Sequence, residues 1–284
     1  MSFAIVLGTT ILGELLLAGL LSLLRRAPGR LGRLHEALCQ APGLDVVVFL
    51  MTLAPPIAAA LLAGWVGLGA AILGQVLSLH VWVELHELAH PGAARAPRML
   101  RIQNRLLGRT ANHVALWLSV VVLPVFWAIR LGELLVWPPL RACARFPRYR
   151  QGDWVNVSRH KYDALVGHDL IWCLYCDWMT GVYSLAGEML RNVESFWCPI
   201  RFLDAAKCAN CRVDFPDVDE WVEPTETLEP AITLMERKYG GGRHEWFGHP
   251  ARLTVEGRAP DAAAPVRDHR QSSITRLTSA WLGR

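Results

Sequence analysis

The sequence predicts a mainly α-helical protein, with an integral membrane front half and a C-terminal, mostly helical domain rich in cysteine and histidine. Three observations carry this. Apolar runs of membrane-spanning length occupy most of residues 3–137. Arginines gather where those runs end. In the second half, apolar residues recur at helical spacing around a cluster of thiols. The mean hydropathy is positive, +0.25, but the asymmetry is more informative. Residues 1–150 hold 14 arginines, no lysine and six acidic residues, whereas residues 151–284 carry a formal −4. The composition break near residue 150 is the expected domain boundary. It separates a membrane domain (1–150) from a Cys/His-rich soluble domain (151–256) and a poorly ordered tail (257–284).

The first apolar segment covers residues 3–24 and is followed by Arg25, Arg26, Arg30 and Arg33. A signal peptide carries its positive charge ahead of the apolar run, so an uncleaved anchor is expected. Glu14 within it needs a partner inside a helix bundle. Residues 44–64 and 66–86 form the second and third segments, with a turn at Gly64-Trp65-Val66-Gly67 and a kink at Pro55 and Pro56. Arg95, Arg98, Arg101, Arg105 and Arg109 follow. The fourth segment, 113–137, holds Pro124 at its middle and precedes Arg141, Arg145, Arg148 and Arg150. If that segment is re-entrant, every arginine group lies on the cytoplasmic side. The expectation is a multi-pass protein of the cell membrane with a cytoplasmic C-terminal domain; four plain spans are the alternative. The charge pattern is juxtamembrane, and no nucleic-acid-binding motif is present, so lipid and a protein partner are the expected partners.

At the end of the third segment the chain reads His86-Glu87-Leu88-Ala89-His90. On a helix the two histidines share a face and can chelate one metal, with Glu87 as general base for a metal-bound water. This HExxH pattern resembles that of zinc metalloproteases. The aspartate motif expected on a later membrane helix of the intramembrane ones is missing, and Pro91 ends the helix. The alternative is a helix end at the membrane boundary, where Glu84 and Glu87 pair with Arg95 or Arg98.

Five of the seven cysteines fall between Cys173 and Cys211. Cys173 and Cys176 share one face of an expected helix or helix pair over residues 168–197, and Cys198-Pro199 closes it. Cys208 and Cys211 form a second CxxC in a turn. Thiolates with His160 and His168 suit zinc, and iron or an Fe–S cluster is the alternative. Buried core thiols explain the same pattern without metal. His244 and His249 are further candidate donors. The functional expectation is a membrane protein with a zinc-binding domain in an accessory, partner-docking role. The alternatives are a membrane-boundary zinc hydrolase using the HExxH residues, or a membrane redox protein.

Overall fold

The computed structural model describes residues 2–197, 227–230, 232–233 and 236. Among these the protein is helical, with no strand, and Gln40 and Asn156 form an antiparallel bridge. Cys198, Cys208, Cys211, His244 and His249 lie outside the described residues, as do the tail and the short strands expected near residues 251–256.

Helix α1 (Phe3–Arg26) is capped by Ser2, whose hydroxyl accepts from the Ile5 amide. Helix α2 (Arg30–Leu38) is short and amphipathic. Helix α3 (Gly43–Thr52) ends before Leu53, and α4 (Ala54–Ala89) begins there. The expected single segment 44–64 is therefore two helices. Pro55 and Pro56 do not kink a helix: they stand in the first turn of α4, where a missing N–H costs nothing. The turn expected near Gly64 is present as a break inside α4. Ala63 leaves helical geometry and Gly64 takes φ +60°, which a side chain would resist.

Two short helices, α5 (Pro91–Arg95) and α6 (Met99–Leu107), lead to α7 (Arg109–Val120) and α8 (Leu123–Leu131). A π-helical turn (Gly132–Val136) and α9 (Trp137–Ala144) follow. The expected segment 113–137 is thus interrupted at residues 121–122, and Pro124 starts α8 instead of bending a continuous helix. The last elements are α10 (Gln151–Trp154), a 3-10 turn (Arg159–Lys161) and α11 (Gly167–Trp197). Helix α11 runs unbroken through Gly181, which lies against the Trp154 backbone.

Among the described residues, three stretches are long and apolar enough to cross a membrane: Phe3–Arg26, Ala54–Ala89 and Arg109–Ala144. Their packing fits that solvent. On α1, Val6, Thr10 and Glu14 face inward at a spacing of four, while Phe3, Ile5, Leu12, Leu16, Leu20 and Leu23 face outward. On α4 the inward face is small: Gly67, Ala70, Ala71, Gly74 and Ser78. Small residues let two helix backbones approach where no hydrophobic drive joins them, as in lipid. Val6, Ala59, Ala70 and Ala71 form the contact. Glu14 finds its partner in Gln75, whose amide also donates to the Met51 and Thr52 carbonyls.

The chain forms two compact units. One comprises residues 1–134 and 151–186; the other comprises 135–150 with 187–284. The composition break near residue 150 falls within this arrangement, because residues 151–186 pack with the front half. In the second unit, Trp137, Phe146, Tyr149, Phe196 and Trp197 form an aromatic cluster, and the Asn192 amide donates to the Tyr149 hydroxyl.

Candidate metal site

Within the first unit, α2 ends in His35 and Cys39, four residues apart and so on one face. The chain then runs extended for a few residues and pairs with the segment after α10. The Ala41 amide donates to the Val155 carbonyl at 2.9 Å, and the Val157 amide donates to the Cys39 carbonyl at 2.8 Å. These bonds hold Cys39 against the strand-like stretch that leads into the 3-10 turn carrying His160. Asp177 on α11 fixes that turn. Its carboxylate accepts from the Ser158 and Arg159 amides and pairs with the Arg159 guanidinium at 2.8 Å.

The result is a convergence of two imidazoles and a thiol. Cys39 Sγ lies 3.8 Å from both nitrogens of His35 and 3.7 Å from His160 Nε2. The two imidazole rings meet edge to face, with centroids 5.1 Å apart. One ligand atom from each of the three residues falls within 4.8 Å of the others. A tetrahedral zinc with ordinary Zn–S and Zn–N bonds places sulfur and nitrogen about 3.5 Å apart. Both sulfur–nitrogen separations are therefore within a few tenths of an ångström of that value. His160 Nδ1 is buried and has no hydrogen-bond partner.

The protonation states suit a divalent ion on the imidazole side. Burial, followed by the neighbouring His35, Arg25 and Lys161, pushes His160 down to about 4. Burial also lowers His35, so both rings are neutral and keep a lone pair for metal at physiological pH. Burial pushes the Cys39 thiol up to about 11, so without an ion it stays protonated. A metal would have to displace that proton. Among the described residues no fourth histidine, cysteine or carboxylate joins the group. Three donors from the described residues would leave a tetrahedral ion one further position to fill.

Of the residues expected from sequence, His160 belongs to this group, whereas His35 and Cys39 were not anticipated. Their signal was an H-x-x-x-C pair on an amphipathic stretch among arginines, remote from the cysteine cluster. Cys173 and Cys176 share a face of α11 as expected. Cys173 neighbours the Arg159 guanidinium, and Cys176 is exposed beside the Thr180 hydroxyl.

The HELAH residues sit at the C-terminal end of α4. The His86 and His90 rings stack, with centroids 4.4 Å apart. His86 Nδ1 accepts from the Gly167 amide, and His90 Nδ1 lies 2.9 Å from the His86 carbonyl. Glu87 pairs with Arg98 at 2.8 Å, which is the pairing expected of a helix end. Arg98 also binds Asp169 at 3.0 Å and the Val166 carbonyl. Gly167 has φ +54° and packs directly on Glu87, where a Cβ would collide with the carboxylate.

His168 joins a different gathering, with His80 and His113. The three ring centroids are 6.0–6.5 Å apart. The Trp117 indole donates to His113 Nε2 and the Trp172 indole to His168 Nδ1. An indole N–H can only donate, so these nitrogens carry lone pairs and the ring protons sit on the far side. Metal ligation needs the reverse, with the outer nitrogen as donor. In this arrangement the gathering is a hydrogen-bonded aromatic cluster.

Compared with models of protein families, with curated proteins and with solved structures, the chain matches none.

Proposed function

We propose that this is a membrane-embedded zinc protein whose ion is held by His35, Cys39 and His160. The observation that carries the reading is the approach of one thiol and two neutral imidazoles to near-ligand distance, from two segments 121 residues apart in sequence. Zinc suits this donor set. The ion would clamp the helix following the first apolar segment to the turn preceding α11, giving a rigid surface on which a partner protein docks. The described cysteines are free thiols, which agrees with a reducing, cytoplasmic setting for this side.

The open coordination position favours a second reading, a zinc-dependent hydrolase whose nucleophile is water on this ion. Under that reading the HELAH glutamate plays no part while it is held by Arg98. Redox chemistry on Cys173 and Cys176 has no comparable geometric support.

The test is metal analysis of detergent-purified protein, comparing wild type with Cys39→Ser, Cys208→Ser and His86→Ala. One zinc per chain, lost in Cys39→Ser and kept in the other two, is the expected result. Loss confined to Cys208→Ser would move the site to the cysteine cluster, and loss confined to His86→Ala would move it to HELAH. Iron with visible absorption bands would overturn the zinc assignment. Cobalt substitution then separates the two roles: a spectrum that shifts on adding azide reports an open position, and one that does not reports a closed shell.

A further inference from the structure

We infer that α6 and its flanking arginines form a docking surface for the headgroups of anionic phospholipids, independent of the metal site. Segment 91–112 contains five arginines and no aspartate or glutamate. One of the five, Arg98, is buried and neutralised by Glu87 and Asp169. Arg101 is occupied as well, donating to the Ala94, Arg95 and Ala96 carbonyls at the end of α5. Arg95, Arg105 and Arg109 are exposed and make no side-chain bond with the described residues. Among the described residues, three positive charges therefore remain uncompensated on one short stretch.

The same helix exposes Met99, Ile102 and Leu106, spaced three and four apart so that they form one stripe, with Leu106 at 77% exposure. Arg105 falls beside that stripe and Arg101 further round, and the far side carries Leu100 and Asn104, which are partly buried. Exposed apolar residues flanked by arginine describe a helix lying in the plane of a membrane interface. Its stems reach the acyl boundary while the guanidinium groups extend to phosphate.

The surrounding structure holds this helix beside the ends of two membrane-length stretches. Arg98 ties its N-terminus to the end of α4, and the Leu100 amide donates to Asp169. At its other end the Asn112 amide of α7 donates to Asn104. Helix α6 is thus pinned between the end of one membrane-length helix and the start of the next. Charge complementarity chooses the occupant. Three arginines with no acidic partner among the described residues, on and flanking the helix that carries the apolar stripe, suit an acidic lipid, since a zwitterionic lipid returns a positive group to the same surface.

The experiment is native mass spectrometry of the full chain in detergent, offered an equimolar mixture of phosphatidylglycerol and phosphatidylcholine. Wild type should retain phosphatidylglycerol in preference, and the preference should fall as salt is raised. Arg95→Gln/Arg105→Gln/Arg109→Gln should lower it at least threefold. The matching lysine variant should keep most of it, and the charge-matched control Arg267→Gln/Arg270→Gln/Arg276→Gln should leave it unchanged. Equal preference in the glutamine variant and wild type would overturn the proposal, as would an equal loss in the control. Abolition of the preference by soluble glycerol phosphate would also overturn it, by making this a site for free phosphate. Leu106→Gln, which leaves every charge in place, should weaken retention of both lipids together.

Discussion

Cys39 sets the chemistry of the candidate centre because it is the one donor that must change state to bind. Burial holds its thiol up at about 11, while His35 and His160 are already neutral. Zinc binding between pH 7 and 9 should therefore release one proton, from the thiol, and none from the imidazoles. Apparent affinity should rise about tenfold per pH unit through that window. Calorimetry in two buffers of different ionisation enthalpy measures the proton directly, and a value near zero would show that sulfur is not a ligand. The turn bearing His160 is held by Asp177, so ring placement depends on a carboxylate that touches no donor. His160 was legible in the sequence as a histidine within a polar string. Its partners were not. Two donors four apart on a nine-residue helix give no more signal than many surface pairs, and only the backbone bonds between residues 39–41 and 155–157 bring the third donor to them.

At the scale of elements, the helices follow the apolar runs closely, whereas the positions of their ends follow proline chemistry. Proline at the start of a helix and proline within one read alike in a hydropathy profile, which is why α3 and the part of α4 before Gly64 read as one segment with a kink. A second feature was hidden for a different reason. Arg130 on α8 is fully buried and binds Asp45 of α3 through two nitrogens, Glu133 of the π-helical turn at 2.5 Å, and the Gln151 side chain. Sequence shows Arg130 and Glu133 as charges near the end of an apolar run, but not the Asp45 that completes the set. π-Helical turns are rare and recur at functional sites, and here one carries the buried Glu133. Arg130→Met should destabilise the protein by about 3–5 kcal/mol, since two buried carboxylates lose their common cation. Adding Asp45→Asn and Glu133→Gln should recover part of that loss. Reversible unfolding of detergent-solubilised variants measures both, and an unchanged midpoint in Arg130→Met would show that the network contributes nothing.

Over the front half, Thr10, Glu14, Asp45, Ser78, Arg130 and Glu133 are buried while many large apolar side chains are exposed, Leu61 and Trp65 by more than four-fifths. That inversion, with three membrane-length helices, makes the front half membrane-like. Composition made this part of the fold legible. The packing of residues 151–186 with the front half was not legible, because their polarity gives no hint of which surface they join. Removing the ion with a chelator should lower the thermal midpoint of wild type and leave Cys39→Ser unmoved, since a ligand that binds only the native state stabilises it in proportion to its affinity. A midpoint that falls equally in both would separate the stabilising ion from this site.

The bridge between Gln40 and Asn156 also bears on biogenesis. His35 and Cys39 are synthesised early and His160 late, and both remaining membrane-length stretches lie between them. Under the zinc reading, no ion could be held by all three until those stretches have been made and the chain has returned to residue 39. Metal loading would then act as an interlock, closing only on a chain that has folded back past both of them.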